Sequence, residues 1–224
     1  MAELQLDPSD AVVHVMRHGE VHNPEGVLYE RIPGYHLSDN GKAMAEVVAA
    51  AYTDVPLTHL RTSPLLRACE TMEPTAALHP DLEVHYDEHL IEAGNRFAGM
   101  RFGRYKNALL DPRNWPMMRN PLKPSWGEPY AEIADRMRRA IVDSARAAGP
   151  GGQAFVVSHQ SPIWIARLWF EGRRLVHLPW GRTSSLASVT SFHFRDDQCV
   201  DITYTEPAAH LLGPDGNKAF SSGN

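Results

Sequence analysis

Residues 11–20 of the chain read AVVHVMRHGE. The first six residues of this stretch, Ala11 to Met16, form a short apolar run that is typical of a buried strand. The run is followed directly by Arg17-His18-Gly19-Glu20 and then by a long loop rich in Gly, Pro, Asn and His. The sequence therefore predicts a buried first strand that opens into a charged turn containing glycine.

Further strands and helices alternate along the chain. Strands are predicted at 11–16, 57–61, 82–86, 154–157, 188–194 and 200–205, the last two as a hairpin around Asp196-Asp197-Gln198. Helices are predicted after Ser38 and Ser63 as N-caps, with Pro64 at the first helical position, over a long segment from Tyr130 to Gly149, and from Ser161-Pro162. This alternation indicates a single three-layer α/β/α domain, residues 1–224, with a mostly parallel central sheet.

Composition and charge exclude several classes of protein. The 224 residues include 22 Lys+Arg and 27 Asp+Glu, a formal net charge of −5, whereas a general nucleic-acid binder needs a basic face. Two cysteines without CxxC spacing predict no disulfide framework. The N-terminus lacks the pattern of a signal peptide and no run is long enough to span a membrane, so we expect a cytoplasmic protein.

One segment departs from the acidic average. Between Arg96 and Lys123 there are seven basic residues against one acid, Asp111, a net charge of +6. We interpret residues 96–128 as an inserted loop or lid. It is either a solvated loop or dimer contact, or a basic lid that steers an anionic substrate.

Three predicted strands end in residues suited to binding phosphate. The first ends in Arg17-His18, the second is followed by Arg67 one turn into a helix, and the strand at 154–157 ends in Ser158-His159. The carboxyl ends of parallel strands share one edge of the sheet, where ligands bind. Arginine side chains and helix N-termini both favour a phosphate dianion.

A histidine in such a site can act as a nucleophile. Neutral imidazole attacks phosphorus without a base to activate it, and nearby arginines disfavour its protonated form. The leaving oxygen then needs a proton from a nearby carboxylic acid. Glu88 and Glu92 follow the strand at 82–86 and are the main candidates, with Glu20 as a third.

The motifs together resemble the histidine phosphatase superfamily, in its phosphoglycerate mutase-like branch. The resemblance runs from about Ala11 to Tyr204 and rests on Arg17-His18-Gly19-Glu20, Leu37-Ser38-x-x-Gly41, Ser63-Pro64-Leu65-Leu66-Arg67-Ala68-x-x-Thr71 and Val156-Val157-Ser158-His159. It implies that His18 is the phosphorylated nucleophile and that no cofactor is needed. It also implies that Arg17, Arg67 and His159 bind the transferred phosphoryl group.

The resemblance also assigns the remaining site residues. Glu92, in Leu90-Ile91-Glu92-Ala93-Gly94, is the expected proton donor, with Glu88 as the fallback. Asn23 matches an asparagine that the family often has after its first motif. Gln160 stands where the family usually has glycine, and it is expected to line the substrate pocket.

Several functions stay open at this point. We expect a metal-independent phosphomonoester hydrolase acting on a small phosphorylated metabolite, with a homodimer as one expectation for its assembly. Tyr29-Glu30-Arg31-Ile32-Pro33-Gly34-Tyr35 replaces the Gly-Trp stretch of the mutases, which favours a phosphatase over a mutase. A non-catalytic phospho-ligand-binding domain is a third possibility. His85-Tyr86-Asp87-Glu88-His89 also fits an H-x-x-E-H zinc pattern, which requires a helix.

Overall fold

The computed structural model describes residues 10–101, 127–177 and 181–213. Within these residues six strands form one sheet: β1 (Asp10–Arg17), β2 (Leu57–Thr62), β3 (Val84–Tyr86), β4 (Gln153–Ser158), β5 (Val189–Arg195) and β6 (Gln198–Thr205). Four α-helices accompany them: α1 (Asp39–Ala51), α2 (Leu66–Leu78), α3 (Tyr130–Ala148) and α4 (Gln160–Phe170). Two short 3-10 helices lie at Glu88–Leu90 and Ala209–Leu211.

The sheet is mostly parallel, as predicted. Its strand order is β3-β2-β4-β1-β5-β6, in which the first four strands run parallel and the β5–β6 hairpin is antiparallel. The strands β1 and β4 are neighbours in the middle of the sheet, with Arg17 paired to Ser158. The residues that follow these two strands therefore leave the sheet side by side.

Helices cover both faces of the sheet. Alternate residues of β4 pack on opposite sides, since Val156 joins a core with α3 and α4 while Phe155 and Val157 join a core with α1 and α2. A strand with its side chains buried on both faces is typical of a parallel sheet covered by helices. The predicted three-layer arrangement is confirmed.

The start of α1 agrees with its prediction and the starts of α2 and α4 differ from theirs. The helix α1 begins behind Ser38, whose hydroxyl accepts a hydrogen bond from the N–H of Gly41 at 3.0 Å. The helix α2 begins at Leu66, not at Pro64, because the N–H of Ser63 still donates to the carbonyl of Val157 and keeps Ser63 in the sheet ladder. The helix α4 begins at Gln160, with His159 as its extended cap residue rather than Ser161.

The predicted hairpin is confirmed, with a tighter turn. Asp196 and Asp197 both have positive φ angles, 45° and 63°, as the two central residues of a type I′ turn require. Gln198 pairs with Arg195 and so belongs to β6. The right-handed twist of the two strands accounts for this choice of turn.

The predicted basic insertion lies for the most part outside the described residues. Its two flanks are tied to neighbouring loops, because Arg101 forms a bridge with Val27 and Asn95 forms one with Gly127. No helix in the described part of the chain combines the length and the apolar character that crossing a membrane requires.

Candidate active site

His18 follows directly after β1 and is held by main-chain contacts. Its N–H donates to the carbonyl of Ser158 at 3.1 Å. Its Nδ1 lies 2.8 Å from the carbonyl oxygen of Gly19. A carbonyl can only accept, so Nδ1 carries the proton and the lone pair of the neutral ring is on Nε2.

The turn that carries His18 rests on the start of α1 without side chains between them. A Cβ atom on Gly19 would lie 2.5 Å from the carbonyl oxygen of Gly41, and one on Gly41 would lie 2.0 Å from that of Glu20. The N–H of Gly19 donates to the Thr71 hydroxyl at 3.1 Å. Both glycines are therefore required by close packing of main chain on main chain.

Arg67 lies in the first turn of α2 and is 1% exposed. Its Nη2 donates to the carbonyl of Glu30 at 2.7 Å, and its guanidinium carbon lies 4.7 Å from the centre of the Tyr29 ring. Among the described residues, its Nε–H has no hydrogen-bond partner. A buried cationic donor left in this state is a site for an anion.

Arg17 and His159 complete the cluster of buried polar groups. Arg17 Nη1 donates to the carbonyl of Ser184 at 2.7 Å. His159 accepts from Arg67 Nη2 through Nδ1 at 3.2 Å, so its proton is on Nε2, which lies 2.9 Å from the Ser63 hydroxyl. The ring centres of His18 and His159 are 5.1 Å apart. Both ring nitrogens of His159 are thus engaged in holding Arg67 and Ser63.

The environment keeps both histidines neutral. Burial lowers the pKa of His18 well below its ordinary value, and the positive charges of Arg67 and then Arg17 lower it further. Burial is also the first cause of the lowered pKa of His159, followed by Arg67. His18 therefore meets the electronic requirement for a nucleophile at neutral pH.

The three candidate acids have different surroundings. Glu92 is half-buried. Burial lowers the pKa of both Arg17 and Arg67, and Tyr29 and the charge of Glu92 oppose this effect, which places Glu92 beside the arginine cluster. Glu88 is exposed on the 3-10 helix. The carboxylate of Glu20 accepts from the Ser38 hydroxyl at 2.6 Å and from Asn40 at 3.2 Å, so it caps the start of α1.

Two ion pairs on a single carboxylate fix the peptide that carries Glu92. Glu128 accepts from Arg31 Nη2 at 2.6 Å and from Arg136 Nε at 2.8 Å. Arg31 Nε donates to the carbonyl of Glu92 at 2.7 Å, and Arg136 Nη1 donates to the carbonyl of Ile91 at 2.8 Å. We call Arg31, Glu128 and Arg136 the Glu128 clamp. No sequence motif contains these three residues, because they come together only in the folded chain.

The last two predicted site residues make different contacts. Both ends of the Asn23 side-chain amide bond to Val27, at 2.8 and 3.1 Å, and close the loop after the turn that carries His18. Gln160 begins α4, and its Nε2 lies 3.4 Å from the carbonyl of Ser184, which also accepts from Arg17.

Two further charged residues near the cluster escaped the sequence analysis. Arg182 has a pKa lowered first by burial, and Glu92 and Glu30 act against this effect. Glu30 has a positive φ angle of 39°. Neither residue lies in a motif, so only the tertiary structure brings them to this site.

The H-x-x-E-H pattern does not form a helix. His85 lies on β3 with its ring stacked on His59 at 4.9 Å, and His89 lies in the 3-10 helix with Nδ1 2.8 Å from Asp87. The two histidines therefore do not share a helix face. No group of three or more side chains suited to holding a metal ion occurs in the described residues.

Residues 13–205 match the family model of branch 1 of the histidine phosphatase superfamily, and the chain belongs to this family. It is 52% identical to protein Rv0525 of Mycobacterium tuberculosis over 202 residues, which covers 90% of this chain and 99% of that protein.

More distant relatives have named activities. A 2,3-bisphosphoglycerate-dependent phosphoglycerate mutase of Thermoplasma acidophilum is 27% identical over 158 residues, 70% of this chain and 74% of the mutase. The structure of a mycobacterial glucosyl-3-phosphoglycerate phosphatase superposes with a TM-score of 0.69 at 18% identity, covering 88% of this chain and 98% of that one. A protein named as a mutase and a protein named as a phosphatase are thus among those that this chain resembles.

Proposed function

We propose that this protein is a phosphomonoester hydrolase that acts on a small phosphorylated metabolite through a phosphohistidine at His18. One observation carries the proposal: a buried, neutral His18 presents the Nε2 lone pair next to Arg17 and Arg67. Binding a dianion without chemistry would not require a neutral nucleophile in this place.

The first step forms the phosphohistidine. His18 Nε2 attacks phosphorus while the bond from phosphorus to the ester oxygen breaks. Glu92, in its protonated form, gives its proton to the leaving oxygen. Arg17 and Arg67 stabilise the negative charge on the non-bridging phosphoryl oxygens. The Nε–H of Arg67, which has no partner among the described residues, is available for this contact.

The second step releases phosphate. The Glu92 carboxylate takes a proton from water, the water oxygen attacks phosphorus, and the bond to His18 Nε2 breaks. We assign His159 to the support of Arg67, and Gln160 and Asn23 to the wall of the pocket, from their contacts. Neither step requires a metal ion. A cytoplasmic location and a homodimeric assembly remain predictions.

Phosphoglycerate mutase activity is the second candidate, and the relative from Thermoplasma acidophilum favours it. The two reactions share the phosphohistidine and differ in whether water or a substrate hydroxyl accepts the phosphoryl group. The segment 29–35, which replaces the Gly-Trp stretch of the mutases, favours water. Release of inorganic phosphate from a panel of phosphorylated metabolites distinguishes the two reactions and identifies the substrate class.

The first prediction tests the nucleophile. His18→Ala should abolish hydrolysis of p-nitrophenyl phosphate in the presence of EDTA, and should abolish the acid-labile mass increase of the chain seen after mixing with substrate. His22→Ala is the matched control, because His22 is exposed in the same loop. Persistent labelling of His18→Ala would contradict the assignment. A wild type that binds phosphate without turnover would favour the binding domain.

A further inference from the structure

Glu30 lies in a tripeptide that joins the two halves of the candidate site. The Tyr29 ring lies against the Arg67 guanidinium, and the carbonyl of Glu30 accepts from Arg67 Nη2 at 2.7 Å. Arg31 donates to the carbonyl of Glu92 at 2.7 Å. Glu30 is thus placed between the phosphoryl-binding arginine and the loop that carries the proposed acid.

The backbone of Glu30 is in a conformation that disfavours its side chain. Its φ angle of 39° is in the left-handed region, which glycine adopts without steric cost. Asp196 and Asp197 also have positive φ, but short polar residues tolerate this region in a hairpin turn. A glutamate in this conformation indicates backbone strain, and backbone strain of this kind clusters at functional sites.

The surroundings of the Glu30 carboxyl contain charges of both signs. Its Oε1 accepts from Asn95 Nδ2 at 3.4 Å. Glu92, Arg182, Arg67 and the phenol of Tyr29 are the titratable groups that face it. Burial and then the charge of Glu92 raise the pKa of Glu30 to about 8, against the opposing effect of the two arginines. At neutral pH the group is therefore a carboxylic acid that can donate a hydrogen bond.

We propose that Glu30 is a second carboxyl of the active site, which contacts the leaving part of the substrate as a neutral hydrogen-bond donor and repels anionic substrates once it ionises. This inference rests on the proposed function, since it assigns a substrate contact within the same site. It also predicts a selectivity. An ionised Glu30 disfavours a leaving group that bears a carboxylate more than one that bears no charge.

The second prediction compares kcat/KM of the wild type and Glu30→Gln for phenyl phosphate and 4-carboxyphenyl phosphate between pH 6.5 and 9.5. Titration with a pKa of about 8 leaves about 91% of Glu30 protonated at pH 7 and about 9% at pH 9. The kcat/KM of the wild type divided by that of Glu30→Gln should therefore fall about tenfold between pH 7 and pH 9. The fall should be steeper for 4-carboxyphenyl phosphate than for phenyl phosphate. Titrations of groups that do not interact with Glu30 are common to both proteins and cancel in this ratio.

Two variants complete the test. Glu25→Gln is the matched control, because Glu25 is an exposed residue of the same loop paired with Arg101, and its ratio to wild type should not change with pH. Glu30→Gly removes the same acid and relieves the backbone strain. It should melt at a higher temperature than the wild type and show the same change of ratio, which keeps the test valid if Glu30→Gln folds poorly.

The outcomes separate this inference from the proposed function. A wild type that is labelled at His18 and turns over, with a ratio to Glu30→Gln that is constant with pH, overturns the role of Glu30 alone. Equal pH dependence for the two aryl phosphates overturns the contact with the leaving group. A wild type that is neither labelled nor active overturns both proposals.

Discussion

Glu88 and Glu92 are four residues apart in the chain, yet of the two only Glu92 has an electrostatic effect on the pKa values of Arg17 and Arg67. The exposed side chain of Glu88 and the half-buried side chain of Glu92 make them a natural pair for comparison. If Glu92 protonates the leaving oxygen and Glu88 does not, their replacement should affect substrates differently. An alkoxide needs a proton to depart, whereas p-nitrophenolate does not.

The third prediction follows from that difference. Glu92→Gln should lower kcat/KM for an alkyl phosphate by about 10²–10⁴-fold, the usual contribution of general acid catalysis. For p-nitrophenyl phosphate the loss should be much smaller, because kcat/KM reports the first step. Glu88→Gln should leave both values unchanged. Equal losses for the two substrates in Glu92→Gln would argue against its role as an acid.

Single residues also show where sequence reasoning reaches its limit. Local patterns predicted that four residues meet: three at or next to strand ends, Arg17, His18 and His159, and one in the first turn of the helix after β2, Arg67. Glu30 and Arg182 have no such local signal. Their place beside Glu92 depends on how loops fold back over the sheet, which no spacing in the chain encodes.

Between elements, the Glu128 clamp connects the loop after Tyr29, the loop of Glu92 and the helix α3. Arg136 lies on α3, and its partner Glu128 lies just before that helix. The burial of the α3 core therefore fixes the clamp, and the clamp fixes the carbonyl groups of Ile91 and Glu92. A catalytic carboxyl on a loop needs this kind of support.

The fourth prediction concerns this support. Glu128→Gln should lower kcat/KM for alkyl phosphates by up to ~100-fold, the effect of misplacing a catalytic group by about 1 Å, with a smaller loss for p-nitrophenyl phosphate. Glu171→Gln is the matched control, because Glu171 likewise pairs with two arginines, Arg167 and Arg173. A uniform loss on both substrates would mean that Glu128 acts on the fold alone.

Element boundaries show the same competition between local and tertiary effects. Ser38 caps α1 as predicted, because its hydroxyl accepts from the Gly41 N–H at 3.0 Å while it donates to the Glu20 carboxylate at 2.6 Å. Ser63 has the same sequence signal, but its hydroxyl lies against His159 and its N–H stays in the sheet. The Ser63 hydroxyl thus takes part in a contact between residues 96 positions apart and also accepts the local N–H of Leu65 at 3.4 Å.

In the molecule as a whole, several histidines are buried in the neutral state. Burial is the first cause of a lowered pKa for His14, His18, His59, His159, His177 and His193. Below pH 6.5 the unfolded chain binds protons that the folded chain does not. The folded state therefore loses stability as the pH falls from about 6.5 towards 4. Glu30 acts in the opposite direction, because its raised pKa makes the folded chain bind the extra proton between pH 4.5 and 8.

The fifth prediction is the resulting acid sensitivity. The free energy of unfolding, measured in urea, should fall between pH 7 and pH 5, since six histidines outweigh one carboxyl. His14 has a pKa lowered to about 4 and bonds to Ser191 and Gln153 at 2.8 and 2.7 Å. His14→Gln should reduce the slope by about 1 kcal/mol per pH unit on average between pH 7 and pH 5. The exposed His22→Gln should keep the wild-type slope, and an unchanged slope in His14→Gln would refute the prediction.

The contact between Gly19 and Gly41 cannot tolerate a larger residue at either position, whereas other parts of the candidate site are held by side chains that can be exchanged. His18 lies on a turn whose main chain packs directly on that of α1, so that neither Gly19 nor Gly41 can carry a side chain. In the loops that carry Glu30 and Glu92, the carbonyl groups of these two residues are instead held by the side chains of Arg67 and Arg31. Grafting these loops from one relative onto another should therefore transfer the choice of substrate while the reactive centre stays in register.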